Sequence, residues 1–226
     1  LADLLQSGAG LVEWPEKLPA GLTPDSLRLS FSGTGESRTI AITAEGAWVK
    51  ALARDAEIES FVAGLSATRN FLEGDASSRR YEWLDTADGS RPILMDMPTR
   101  PDGPPVRNGK PYSAIAHLAE GLPAVVAVNT LLAERGYSAP RIMKADLKSG
   151  LALIENLGSR VYGRMLLAGE DMTEPMLAAA EVLADMARHD WPAHVPAGDG
   201  ISHHVAPYDA DALLIEADLL PSWFWP

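Results

Sequence analysis

Apolar and polar positions alternate with period two over Ser26-Leu-Arg-Leu-Ser-Phe31 and again over Arg38-Thr-Ile-Ala-Ile-Thr43. Alternation puts successive side chains on opposite faces of a strand, so the two runs predict a hairpin around the turn Gly33-Thr-Gly-Glu36. The period then changes. Ile58, Phe61, Val62 and Leu65 recur at helical spacing beside Glu57 and Glu59, the dry and wet faces of an amphipathic helix. Two extended runs follow, joined by a turn of small residues within Leu72-Glu-Gly-Asp-Ala-Ser-Ser-Arg-Arg-Tyr-Glu-Trp83. After the turn Asp88-Gly89-Ser90 comes an apolar strand from Pro92 to Pro98, then a Pro/Gly-rich loop, Thr99 to Pro111, without apolar periodicity. Pro123 stands where a first-turn proline would, and Val125, Val128, Leu131 and Leu132 repeat at helical spacing up to the stop signal Gly136. Ala139–Asp146 and Leu151–Gly158 read as two more extended segments about the turn Lys148-Ser-Gly150, and helical periodicity returns in Met176–Met186 and Ala212–Leu220. From residue 72 the order is strand, strand, strand, helix, strand, strand.

Composition narrows this reading without redirecting it. The 226 residues allow one large domain or two smaller ones, and 46% hydrophobic content is that of a folded chain. No stretch approaches the ~20 apolar residues of a membrane helix. With no cysteine, disulfides and thiolate metal sites are excluded, and a reducing cytoplasm is permitted. A net charge of −12 argues against a broad nucleic-acid surface, which needs clustered Lys and Arg. It leaves room for a local anion site at Arg79-Arg80.

That dipeptide follows the turn Gly74-Asp-Ala-Ser-Ser78 directly. Small side chains let backbone N–H groups approach phosphate oxygens, and an adjacent guanidinium supplies a forked cationic donor. Gly and Ser also dominate plain surface turns for conformational reasons alone, so the segment in isolation reads first as a plain hairpin. Four segments taken in order carry more: Gly74–Tyr81, Ile93-Leu-Met-Asp-Met-Pro98, Gly136-Tyr-Ser-Ala-Pro-Arg-Ile142 and Gly150-Leu-Ala-Leu-Ile-Glu-Asn-Leu-Gly158. Together they resemble the aminoglycoside-phosphotransferase family, and within it the bacterial cell-wall amino-sugar kinases that phosphorylate N-acetylmuramate or N-acetylglucosamine at the anomeric position. The resemblance runs from about Ile58 to the end of the chain.

It implies an α+β, protein-kinase-like small lobe: an antiparallel sheet and a helix, then the first helices of a large lobe. It also implies ATP, with Mg2+, and a small sugar as substrates. Gly74, Asp75, Ala76, Ser77, Ser78 and Arg79 would overlie the phosphates, and Glu155, Asn156 and Leu157 would form the hinge against adenine. The family's His-x-Asp loop, its metal-binding Asn and its further metal-binding Asp have no counterpart in the sequence. No catalytic or metal-binding residue is therefore assigned here, and the chain is expected to be a fragment that binds ATP weakly without turning it over. Met95 stands about where kinases place the phosphate-holding Lys of the third strand, leaving Arg79 or Arg80 to supply the charge. The two arginines alternate faces, so only one can point at the nucleotide.

The first ~50 residues resemble something else. Glu13-Trp14-Pro15, with the hairpin behind it, is similar to the C-terminal end of TsaE, the bacterial ATPase of tRNA threonylcarbamoyladenosine modification. The likeness implies a β-hairpin remnant of a P-loop ATPase domain fused to the kinase, with proteins of the tRNA-modification complex as partners. No Walker A sequence is present, and Gly8-Ala-Gly10 lacks its lysine. The implied domains are 1–50, 51–157 (nucleotide-binding lobe) and 158–226 (start of the large lobe), in a cytoplasmic protein.

His189, His194, His203 and His204 fall within sixteen positions, but no pair has the i, i+4 spacing of a helical zinc motif, and a surface loop is expected. His189-Asp190 reads as the end of a helix, where an imidazolium complements the macrodipole. Trp223-Phe-Trp225 reads as core packing short of its covering lobe. Three function classes stay open: a sugar phosphotransferase, a tRNA-modification ATPase, and a noncatalytic partner-binding module.

Overall fold

The computed structural model describes residues 11–13, 17, 25–73 and 79–221. Glu13 is described, whereas Trp14, Pro15, Gly74 to Ser78 and Trp223 to Trp225 lie outside these residues. The chain divides into two compact units, Leu1–Leu65 and Ser66–Pro226.

In the first unit, β1 (Leu27–Ser32) and β2 (Thr39–Ala44) form the antiparallel hairpin that the alternation predicts. The register sets Leu29 opposite Ile42 and Phe31 opposite Ile40, collecting the apolar side chains on one face. That face is open, for Phe31 is 67% exposed and Ile42 54%. Helix α1 (Ala47–Val62) follows, its first amide donating to the Asp25 carboxylate at 2.7 Å. Ile58 and Val62 are its buried side chains, as their spacing indicates. A two-stranded hairpin and a helix do not identify a P-loop ATPase remnant, and that part of the expected fold is not confirmed.

The second unit is built on a five-stranded antiparallel sheet of order β3-β4-β5-β9-β8. Its strands are β3 (Ala67–Leu72), β4 (Arg80–Thr86), β5 (Ile93–Asp96), β8 (Ile142–Asp146) and β9 (Leu151–Ile154). Strand β9 therefore lies between β5 and β8 and is buried along its whole length. On one face Leu84, Leu94 and Leu151 are excluded from solvent. On the other, Met95, Met97, Ala152 and Ile154 pack with Leu122, Val126 and Ala127 of helix α3 (Leu122–Glu134). Mixed α/β architecture with antiparallel sheets is consistent with a kinase-like fold. The β8–β9 turn closes on Gly150, at φ +72°, where a Cβ would overlap the Met97 carbonyl oxygen. Only glycine fits a left-handed position pressed so closely on another strand.

Three sequence expectations are corrected. Val128, placed on the apolar stripe of α3, faces outward, while Leu122, Ala124, Val126 and Ala127 are buried. The helix is apolar nearly all round, so spacing alone does not select its inner face. The Thr99–Pro111 loop holds a small hairpin, β6 (Pro105–Arg107) and β7 (Lys110–Pro111), turned by Asn108-Gly109 at positive φ. It leads into the short helix α2 (Tyr112–Ile115). The histidine-rich segment is likewise a hairpin, β10 (His194–Gly198) and β11 (Ile201–His204), about Asp199-Gly200. Val195 and Ala197 alternate into the core beside α3. Pro196 hides that alternation in the sequence, yet a two-stranded ribbon has only edge strands, where proline is tolerated.

Helices α4 (Tyr162–Leu167), α5 (Thr173–Met186) and α6 (Ala210–Ala217) complete the unit. His189 sits just past α5 with Nε2 3.5 Å from Asp185, whose carboxylate also accepts from the Tyr137 hydroxyl at 2.7 Å. Those contacts hold Asp185 below the usual carboxylate range, the Tyr137 hydrogen bond contributing most. Among the described residues no helix is long and apolar enough to cross a membrane.

Candidate functional site

Strand alternation turns Tyr81 and Trp83 of β4, Ile93 of β5 and Ile154 of β9 toward the face that α3 partly covers. Where the helix ends its cover, these side chains floor a groove of about 690 Å³. Arg79, at the entry to β4, lines it together with Gly158, Val161 and Arg164. The Arg91 guanidinium lies 4.6 Å from the Trp83 ring centre and is paired with Asp85 at 2.7 Å, which fixes the indole edge of the groove. Two guanidiniums over an aromatic floor, with the Glu73 carboxylate at the margin, make a site for a flat ring carrying negative charge.

The arginine pair divides. Arg79 is half-buried at the groove, and Arg80 is exposed. Met95 is buried against the α3 side of the sheet, so no ammonium occupies that strand position and the groove's positive charge comes from Arg79 and Arg164. Sequence reasoning missed Arg164, because it lies on a helix more than eighty residues from Arg79 and nothing local marks it.

The three hinge candidates follow β9 directly. The Glu155 N–H donates to Arg141 O at 2.9 Å and its carboxylate accepts from Arg141 N at 3.1 Å, extending the β8 pairing by one residue. Asn156 is half-buried, with its amide engaged on the backbone on both sides. Leu157 is 61% exposed. Gly74, Asp75, Ala76, Ser77 and Ser78 lie outside the described residues. The strand ends they join, Leu72 and Arg79, both line the groove.

A second groove, of about 640 Å³, is lined by α3 residues that include Val128 and Asn129 and by the His203-His204 end of β11. Its rim includes Asp102, which accepts from Ser113 Oγ at 2.5 Å, and Glu120, whose carboxyl is raised by its hydrogen bond to Asp102. Its lining is mainly apolar, its titratable side chains are Asp102, His117, Glu120, His203 and His204, and it includes no Arg or Lys. Among the described residues no three His, Asp or Glu side chains converge in a way that could hold a metal ion.

No family model matches the chain, and no solved structure matches it. Curated proteins do. The protein named N-acetylmuramate/N-acetylglucosamine kinase of Caulobacter vibrioides is 37% identical over 164 residues, covering 69% of this chain and 45% of that protein. Proteins of the same name in Pseudomonas aeruginosa and Pseudomonas putida are 31% and 30% identical over 152 residues, each covering 66% of this chain and 36% and 35% of theirs. The chain thus spans less than half the length of these curated relatives. They bear on the kinase resemblance and not on the ATPase resemblance of the first ~50 residues. Over about two-thirds of its length, this chain is homologous to proteins named as kinases of N-acetylmuramate and N-acetylglucosamine.

Proposed function

We propose that this chain carries the nucleotide-binding lobe of an ATP-dependent kinase of a sugar or amino sugar, N-acetylmuramate or N-acetylglucosamine by its relatives' names. The observation that carries the reading is the groove on the five-stranded sheet, whose lining joins Tyr81 and Trp83 to Arg79 and Arg164. In this reading the adenine rests on the aromatic and aliphatic floor near Ile154. Arg79 takes the part of the absent strand lysine, binding phosphate oxygens through a forked pair of N–H donors. The turn Gly74–Ser78 is proposed to cover the phosphates with its backbone N–H groups.

Phosphoryl transfer needs magnesium to neutralise charge between the phosphates and a base to orient the acceptor hydroxyl. Among the described residues no cluster of three His, Asp or Glu side chains forms a metal site by itself. The metal ligands and the base are proposed to belong to the part of the kinase that this chain does not span. The acceptor sugar is assigned by relatedness alone.

Calorimetric titration of this chain with ATP tests the proposal. Binding weakened by Arg79→Ala and by Trp83→Ala is expected. No heat at millimolar nucleotide from a chain shown to be folded would remove the proposal.

A further inference from the structure

We infer that Asn156 is a positioning residue that holds two groove-forming segments in register, and that it is not a contact to the nucleotide base. The inference rests on the nucleotide reading of the groove. Its amide is used at both ends: Nδ2 donates to the carbonyl of Arg91 at 3.0 Å, and Oδ1 accepts from the N–H of Gly158 at 2.8 Å. Arg91 stands two residues before β5, and its guanidinium packs on Trp83. Gly158, at φ +91°, opens the stretch that brings Ser159, Val161 and Arg164 to the groove lining. One side chain therefore ties the backbone beside the Trp83 wall to the backbone beside Val161 and Arg164.

The residue type follows from the two roles. A carbonyl oxygen needs a donor and an amide N–H needs an acceptor, and a primary amide of this length offers both. Aspartate keeps the bond from Gly158 but sets a carboxylate against the Arg91 carbonyl. Alanine loses both bonds and frees the turn, which has no other regular structure between Ile154 and Tyr162.

Two measurements on the chain test this: hydrogen exchange at Gly158, and calorimetric titration with ATP and with GTP. With Asn156→Ala, Gly158 exchange is expected to quicken about tenfold, and the Kd values for ATP and GTP to rise by one common factor of about ten, with the thermal midpoint nearly unchanged. Asn156→Asp is expected to keep Gly158 protected while weakening both nucleotides alike, and it serves if the alanine variant does not fold. A loss confined to ATP would make Asn156 a base contact and overturn the inference. So would unchanged Gly158 exchange in Asn156→Ala. If the unsubstituted chain binds neither nucleotide, the nucleotide reading fails, and the exchange measurement alone decides whether the latch exists.

Discussion

The hairpin β1–β2 and the hairpin β3–β4 are built from strands of nearly equal length, and the sequence displays the first more clearly than the second. Their fates differ. In β1–β2 the apolar face carrying Leu29, Phe31, Ile40 and Ile42 is open, whereas β4 is hydrogen-bonded on both edges and buries Leu84 completely. Clean alternation therefore specifies strands and a register, and says nothing of what lies on the apolar face. Burial comes from elements far off in sequence: β9 against β5, and α3 and β10 over the sheet.

That comparison can be broken at its turns. Gly150→Ala in the β8–β9 turn puts a methyl into the Met97 carbonyl at a left-handed position, and is expected to destabilise by about 4 kcal/mol in urea denaturation. Gly35→Ala in the β1–β2 turn has the same sign of φ, at +68°, with open space around it, and is expected to cost about 1 kcal/mol. Equal losses would mean that the Met97 contact does not constrain the sheet. Side chains give the next contrast. Leu94→Ala removes a fully buried residue and is expected to cost about 3 kcal/mol, against no more than about 0.5 kcal/mol for Ile42→Ala on the open face. A large loss at Ile42 would show that its face is covered in solution.

The groove sharpens the contrast within one strand end. Arg79→Ala is expected to weaken ATP binding about 10- to 150-fold, as loss of a charge-assisted contact does, and Arg80→Ala about twofold or less. Equal, small effects in the titration would return the β3–β4 connection to a plain hairpin. The smallest effect is at the margin of the unit, where the Tyr112 hydroxyl donates to Glu216 of α6 at 2.5 Å. That hydrogen bond to a carboxylate, with burial second, pushes the phenol from 10.0 to about 12. A raised folded-state value means stabilisation that is whole below pH ~10 and lost as the pH rises through about 12. Tyrosinate absorbance should titrate late at this site, and Tyr112→Phe should shrink the late component without removing it, because the Tyr137 hydroxyl is also raised by its hydrogen bond to Asp185.

Much of the fold was legible along the chain. The strand runs, the amphipathic α1, the extent of α3 from Leu122 and the glycine stops at Gly136 and Gly150 are local signals. Each reports a backbone period or a φ that only one residue type adopts readily. Where an apolar helix has no wet side, as in α3, the same signal loses its direction, and Val128 is exposed although it shares the helical spacing. Proline hid the strand character of β10 in the same way, because a residue without an N–H reads as a breaker until its pairing is known.

The site was legible only in part. Arg79 was visible beside its small-residue turn. Arg164 and the floor at Trp83 and Ile154 were not, since a groove is made by segments that meet across the sheet. The order of residues alone marks most strands and helices, the glycines at their turns, and the single Arg-Arg pair, Arg79-Arg80, behind a run of small residues. The tertiary structure alone decided that β9 runs between β5 and β8, that Arg79 rather than Arg80 borders the groove, and that Asn156 spends its amide on Arg91 and Gly158. Periodicity records how each residue relates to its near neighbours, whereas pairing order and side-chain partners follow from loop closures over tens of residues that no local pattern encodes.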